Sequence, residues 1–242
     1  MRFWVLALSL VLPHSSTLSQ KSPLIFSPSS HYSLEIIEAF RQAPGDEDSD
    51  EDHGNCASIA VIKAAMATFG PSNIFKSEVH DNGLYKLTLR NGENLTLSDD
   101  ESDYAAAHSG FIQPLVDGKP GGDPEILRRA NFIFAVLAKR VADDKDNDLG
   151  GDIKGGVGML NGGYNVFATP DLLGLAYRKI RMGGSVSYMH ANGYHAVFAS
   201  DDFWDDYGKS NEENMRFMTG HNGGNIFKDL ENINLILVDV AP

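Results

Sequence analysis

Residues 54–67 have the sequence GNCASIAVIKAAMA, in which a polar start leads into an almost uninterrupted run of small and apolar residues. This run contains no proline and predicts a buried helix, which Gly70-Pro71 ends. Cys56 would lie at the start of this helix, where the helix dipole and free backbone N–H groups favour the nucleophilic thiolate. We therefore expect Cys56 to be a reactive thiol, the alternative being a small buried side chain.

Residues 1–19 have the pattern of a secretory signal: Arg2, a short apolar stretch, and then small residues near a possible cleavage point. The apolar stretch is too short to span a bilayer. We expect a secreted or periplasmic protein, with no membrane contact after removal of the leader. Residues 20–45 are predicted to form an extended arm and a short helix at 34–41, and residues 46–242 the main domain.

The charge of the chain excludes several classes of partner. Lys and Arg number 20 against 33 Asp and Glu, which gives a net charge of −13 with no basic stripe to offset it. Nucleic acid and anionic membrane surfaces are therefore not expected to bind. Because Cys56 is the only cysteine, neither an intrachain disulfide nor a Cys-based zinc site can form.

The rest of the sequence predicts an α+β fold. Alternation at 84–97 around the turn Asn91-Gly92 predicts a β-hairpin. Apolar spacing behind Asp123-Pro124 predicts a buried helix at 124–140, followed by a Gly- and Asp-rich loop at 143–163 and a short helix at 169–179. Helices thus come first and antiparallel strands follow, predicted at 185–189, 195–200, 215–219 and 233–240.

A reactive cysteine needs a base and a group that orients the base. His195 opens a predicted apolar strand, and Asn222 follows the predicted strand at 215–219, from which its amide could fix the histidine tautomer. His190 is a second candidate for the base, but it would end a strand. The sequence therefore predicts a catalytic set of Cys56, His195 and Asn222.

With these motifs the chain resembles a papain-fold cysteine peptidase of the calpain type. Gly54-Asn55-Cys56 resembles the Gly-Asp-Cys of that family, Tyr194-His195-Ala196 resembles its Gly-His-Ala, and Asn222-Gly223-Gly224 resembles its Asn-Pro-Trp-Gly. His195 follows Cys56 by about 140 residues, and papain-like peptidases have ~130–150. The resemblance implies a domain of two lobes, helical and then β-rich, that hydrolyses peptide bonds in protein or peptide substrates.

The sequence departs from this family around the predicted nucleophile. Asp50 stands where the family has a Gln that donates to the oxyanion, and an ionised carboxylate cannot donate. Either the backbone N–H of Cys56 and a second donor such as Gln42 stabilise the oxyanion, or the site is inactive. Two alternatives follow: a non-catalytic secreted binding protein on the same scaffold, or an ovarian-tumour-type deubiquitinase-like hydrolase, whose Asp-Gly-Asn-Cys resembles residues 53–56.

No cofactor is required by this chemistry, but Ca²⁺ is considered. Asp144, Asp146 and Asp148 alternate ahead of Gly150, and hard cations bind clustered carboxylates. The spacing of Gly150 does not match an EF-hand loop. A calcium site and a solvated acidic loop are therefore both open interpretations, and Ca²⁺ modulation of the enzyme is a prediction.

Overall fold

The computed structural model describes residues 30–43, 54–116, 118–180, 187–192, 195–200, 203–205 and 233–240. The predicted leader at 1–19, the predicted strand at 215–219, Asp50 and Asn222 lie outside these residues. Within them the protein is a mixture of helices and antiparallel sheets, so the predicted α+β class is confirmed.

The α-helices of the described residues precede the largest sheet. They are α1 (Ser30–Ala39), α2 (Cys56–Phe69), α3 (Asp99–Ala107), α4 (Pro124–Asp143) and α5 (Ile153–Asn161). Helix α2 begins and ends where the sequence predicts, and each of its residues from Ala57 to Ala67 is buried. No helix among the described residues has both the length and the apolar content needed to cross a bilayer.

The first strands form small antiparallel units. They are β1 (Arg41–Gln42), β2 (Ser77–Asp81), β3 (Leu84–Thr88), β4 (Asn94–Ser98), β5 (Phe111–Ile112), β6 (Leu115–Val116) and β7 (Lys119–Pro120). Strands β3 and β4 are the predicted hairpin, and β2 extends it to three strands. The remaining short strands pair as β1 with β5 and β6 with β7.

The largest sheet is antiparallel and has the order β11-β10-β9-β12-β8. Its strands are β8 (Leu175–Ile180), β9 (Ser187–Asn192), β10 (His195–Ser200), β11 (Phe203–Asp205) and β12 (Ile233–Asp239). Strand β10 has the predicted bounds, and β12 agrees with its prediction to one residue. Strands β9 and β10 form a hairpin in which His195 lies opposite Asn192.

Helix α2 lies at the centre of the core. It packs against β9 and β10 of the large sheet and also contacts α1 and α4. Side chains from α1, α2, α4 and β10 join one buried cluster, which includes Ile62 of α2, Phe134 of α4 and Phe198 of β10. Because α2 is apolar on nearly all sides, it is stable only when surrounded in this way.

Pairing across the sheet defines which residues of β10 face α2. Asp205 of β11 lies directly opposite Phe198, so the two share a face of the sheet. The Asp205 carboxylate binds the ammonium of Lys63 in α2, which shows that this face is turned toward the helix. Because side chains alternate between the two faces of a strand, Ala196 belongs to the same face of the sheet as Phe198. His195 belongs to the opposite face, together with Val197 and Ala199.

The sequence prediction missed α3 and wrongly assigned residues 143–163 to a loop, because α5 lies within them. Helix α5 contains three glycines, which disfavour a helix by intrinsic propensity. However, a Cβ at Gly156 would lie 2.1 Å from the carbonyl oxygen of Ala138, so the absence of a side chain lets α5 approach α4 closely. Tertiary packing therefore overrides local propensity in this segment.

The helix predicted at 169–179 is also wrong beyond its first half. A short 3-10 helix at Thr169–Leu173 is ended by Gly174, whose φ of 67° lies in the left-handed region. The chain then continues as β8, which pairs along its length with β12. The Thr-Pro-Asp start was correctly assigned to a helical turn, but the stop signal at Gly174 was not recognised.

Candidate active site

Cys56 is the first residue of α2 and is partly exposed, so its thiol is not enclosed in the core. The preceding residue, Asn55, has the N-cap position but makes no side-chain cap to the helix. The N–H groups of the first turn are therefore not covered by the Asn55 side chain. Cys56 is therefore accessible in part, and its role as a nucleophile stays a prediction.

The Asn55 side chain instead anchors the start of α2 to the end of α3. It is fully buried, and its Nδ2 donates to the carbonyl oxygen of Ser109 at 2.6 Å. This bond fixes the orientation of the amide, because a reversed amide would place two oxygens together. Its Oδ1 is buried and finds no hydrogen-bond partner among the described residues.

Asn161, at the end of α5, lies on the other side of the same junction. Its carbonyl oxygen accepts from the Gly54 N–H at 2.5 Å, and its Nδ2 donates to the carbonyl oxygen of His108 at 2.8 Å. Its Oδ1 is also buried and unpartnered within the described part of the chain. A Cβ on Gly54 would lie 3.0 Å from the N of Gly163, so the backbones on either side of this junction are in direct contact.

The carbonyls that bind both asparagines are held rigidly. Ser109 is itself buried, and its hydroxyl donates to Oδ1 of Asn131 in α4 at 2.8 Å. The same hydroxyl accepts from the Phe111 N–H at 3.1 Å. The carbonyls of His108 and Ser109, just after α3, thus bind Asn161 and Asn55 and hold the end of α5 beside the residues that precede Cys56.

His108 is a second histidine near the start of α2, and sequence reasoning set it aside for lack of a helix context. It caps the end of α3. Its Nδ1 lies 2.7 Å from the carbonyl oxygen of Tyr104, and because a carbonyl only accepts, Nδ1 carries a proton and donates to it. The missed signal was the sequence Ser98-Asp99-Asp100-Glu101, a capping box that begins α3.

The predicted base, His195, opens β10 in the sheet that packs against α2. By its register position, His195 belongs to the same face of the sheet as Val197 and Ala199, which is not the face that holds Phe198 and Asp205. His190 lies opposite Val197 and therefore belongs to the same face as His195. A pair between Cys56 and His195 therefore requires the histidine to reach toward α2 from the hairpin end of β10. Asn222, the third member of the predicted set, lies outside the described residues.

Gln42, the predicted second oxyanion donor, lies in β1, which contacts α2. It is paired with Phe111 of β5, two residues beyond Ser109. The fold therefore brings Gln42 to the region in which Asn55 and Ser109 meet. This proximity was not evident from sequence spacing.

Lys63 positions α2 against the sheet. Its side chain is fully buried, and the residue lies two helical turns after Cys56 and thus on the same face of α2. Burial lowers the pKa of the Lys63 ammonium, and the Asp205 carboxylate opposes this shift without cancelling it. Nothing in the sequence pattern indicated this pair, because the two residues are 142 positions apart.

The acidic residues considered for Ca²⁺ lie between α4 and α5. The Asp144 carboxylate accepts from the Asp146 N–H at 3.0 Å, and Asp148 adopts a left-handed conformation that ends a short 3-10 turn. Within the described residues, no group of three or more His, Cys, Asp or Glu side chains is arranged to hold a metal ion. The calcium site at Asp144, Asp146 and Asp148 stays a prediction.

No family model, curated protein or solved structure matches this chain in comparisons with known proteins. The assignment of function therefore depends on the residues of the chain itself and on their arrangement.

Proposed function

We propose that this protein is a secreted cysteine-type hydrolase that cleaves peptide bonds with Cys56 as nucleophile. The observation that carries the proposal is the position of Cys56: a partly exposed thiol at the first residue of a helix whose body is buried against a sheet. A helix start supplies N–H groups and a positive dipole end, and both favour a thiolate. The scaffold in this proposal is the two-lobed papain-like domain, with His195 as base and Asn222 as its orienting partner.

The reaction would follow the usual course for a thiol nucleophile. The Cys56 sulfur attacks the carbonyl carbon of the substrate, and the imidazolium of His195 gives its proton to the departing amine, which leaves a thioester. Water then attacks the thioester, His195 takes a proton from it, and the acid product and free thiol are released. The Cys56 N–H and the Gln42 side chain would donate to the oxyanion.

The register of β10 makes His195 the part of this mechanism that most needs a test. The decisive experiment is the rate of Cys56 alkylation by iodoacetamide from pH 4 to 9, in the wild type and in His195→Ala. His190→Ala is a matched control, because His190 lies on the same face of the sheet and on the neighbouring strand. Calcium is included as a variable to test its predicted modulation.

We expect alkylation of the wild type to stay fast below pH 7 and to fall about 100-fold or more at pH 6 in His195→Ala, because an ordinary thiol is well under ~1% thiolate at that pH, with His190→Ala unchanged. The purified wild type, but not Cys56→Ser, should then hydrolyse members of a peptide library. If both histidine variants follow the pH dependence of a free thiol as the wild type does, hydrolysis is excluded. The protein would then be treated as the non-catalytic binding protein.

A further inference from the structure

The triplet Asn94-Leu95-Thr96 at the start of β4 is the only Asn-X-Ser/Thr sequence of the chain. In a protein that passes through a secretory pathway, such a triplet makes the asparagine an acceptor for an N-linked oligosaccharide, provided that the folded chain leaves it at the surface. We propose that Asn94 is an N-glycosylation site. This proposal goes beyond the hydrolase and shares with it only the predicted export of the chain.

The alternation of β4 turns both defining residues of the triplet to solvent. Leu95 and Leu97 belong to the core, with 6% and 0% of their surface exposed, whereas Asn94 and Thr96 are exposed. Side chains two positions apart on a strand share a face, so the Asn94 amide and the Thr96 hydroxyl lie on the same outer face of the sheet. The opposite register would place the asparagine in the core, where an oligosaccharide cannot fit.

Hydrogen bonds on this outer face orient the Asn94 amide. The Ser77 hydroxyl donates to Thr88 Oγ1 at 2.9 Å, and the Thr88 hydroxyl donates in turn to Asn94 Oδ1 at 3.0 Å. The amide oxygen is thus engaged, whereas Nδ2, the atom that carries an N-linked sugar, has no hydrogen-bond partner within the described residues. A glycosylated asparagine keeps its carbonyl oxygen, so the bond from Thr88 is compatible with the modification.

The surroundings of Asn94 leave room for a bulky group. Thr88 of β3 lies opposite Asn94, and one pair further along the sheet Val79, Lys86 and Thr96 lie opposite one another on the same face. These three side chains are exposed, so no element of the described part of the chain covers this face. An oligosaccharide joined to Asn94 therefore extends into solvent, and the fold accommodates it without rearrangement.

The modification is a group transfer in which Asn94 is the nucleophile. Its Nδ2 forms a bond to the anomeric carbon of an oligosaccharide that a lipid-linked pyrophosphate donor supplies. The bond between that carbon and the phosphate oxygen breaks, the lipid pyrophosphate leaves with the bonding electrons, and Nδ2 gives up one proton. A cellular transferase carries out this step, and neither Cys56 nor His195 is required for it.

The test is the mass of the full chain, with its own residues 1–19, after expression in cultured eukaryotic cells. We expect one added oligosaccharide, which peptide-N-glycosidase F removes with deamidation of Asn94. Thr96→Ala should abolish the addition, whereas Thr96→Ser should keep it, because serine preserves the hydroxyl of the triplet. Asn73→Gln is the matched control and should leave the added mass unchanged, because Asn73 is also exposed but has Phe75 two positions after it.

A secreted wild type with the mass of the polypeptide alone would overturn the proposal, as would an added mass that Thr96→Ala retains. A chain that stays in the cytosol unmodified would also overturn it, because export is part of the proposal. If Thr96→Ala does not fold, peptide mapping of the digested wild type decides, since deamidation at Asn94 supports the site and deamidation elsewhere contradicts it. Cys56→Ser should carry the same oligosaccharide as the wild type, so the result is independent of the proposed hydrolase.

Discussion

The ammonium of Lys63 and the carboxylate of Asp205 form a buried ion pair that joins α2 to β11. The Lys63 Nζ also donates to the carbonyl oxygen of Ile37 in α1 at 3.3 Å and lies 4.7 Å from the centre of the Phe40 ring. One side chain thus joins α1, α2 and the large sheet. Since Cys56 is two turns before Lys63 on the same helix face, this pair also fixes where the candidate nucleophile lies relative to the sheet.

Removal of the Lys63 charge should strongly destabilise the protein. Lys63→Met removes the ammonium from beside a carboxylate that stays buried, and broken buried ion pairs of this kind cost about 3–5 kcal/mol. Urea unfolding followed by circular dichroism measures the change. The double variant Lys63→Met/Asp205→Leu should recover most of the lost stability, because the buried carboxylate is removed together with the ammonium. A single variant within about 0.5 kcal/mol of the wild type would contradict the buried pair.

The same pair predicts a pH dependence at alkaline pH. Because burial lowers the pKa of Lys63 in the native state below 10.5, the unfolded state binds more protons over the interval between the lowered value and 10.5. The free energy of unfolding contributed by this group therefore rises with pH across that interval. The measurement is urea unfolding of the wild type and of Lys63→Met from pH 7 to 10. Their difference in stability should widen in favour of the wild type toward the upper end.

Alanine substitutions at two glycines of α5 should change the stability of the protein in opposite directions. Gly156→Ala places a Cβ 2.1 Å from the Ala138 carbonyl oxygen of α4, and relief of this clash should cost about 3 kcal/mol or more. Gly158→Ala meets no atom within 4 Å and should stabilise the protein by about 0.5–1 kcal/mol, because alanine favours a helix. Chemical unfolding of both variants is the measurement. Equal effects at the two positions would show that α5 does not contact α4 through Gly156.

The capping box of α3 predicts a loss of stability in acid. Burial raises the pKa of Glu101, but hydrogen bonds from Lys139 and from the Ser98 backbone and hydroxyl outweigh burial and lower the pKa below 4.5. The stabilisation is therefore complete above pH 4.5 and is lost as the pH falls through the lowered native value. Glu101→Gln should flatten this part of the stability curve measured by urea unfolding from pH 2 to 6. Asp100→Asn, on the same turn, is the control and should leave most of the curve unchanged.

Substitution of Ser98 gives an independent measure of how much the capping box stabilises α3. Ser98→Ala removes the hydroxyl that accepts from the Glu101 N–H at 3.2 Å, and loss of such a cap costs about 1 kcal/mol. Ser98 caps the start of α3, and the carbonyls that bind Asn55 and Asn161 follow the end of the same helix. Loss of the cap should therefore also increase the hydrogen-exchange rates of the Ser109 and Gly54 amides. An unchanged exchange rate at both amides would show that the Ser98 cap does not stabilise the end of α3 at Ser109.

Long segments with a clear period were predicted well from the sequence. The helix from Cys56, the hairpin around Asn91-Gly92, the helix behind Asp123 and strand β10 each have strong local signals, and each is confirmed. The failures lie where the local signal was weak or contrary. Helix α5 depends on close packing against α4, and β8 depends on pairing with β12, so neither could be assigned from its own residues.

Some features of the candidate site could likewise be predicted from local sequence, and others could not. By itself the sequence determined that its only cysteine begins a buried helix, because the apolar run and the stop at Gly70 are local features. Only the tertiary structure brought Asn161 and the end of α3 to the residues before Cys56, and only the pairing of β10 with β11 set the face of the sheet to which His195 belongs. The physical reason is distance along the chain. Hydrogen bonds and ion pairs between residues 54 to 142 positions apart leave no periodic trace in a sequence, and they form only when the core has placed their elements together.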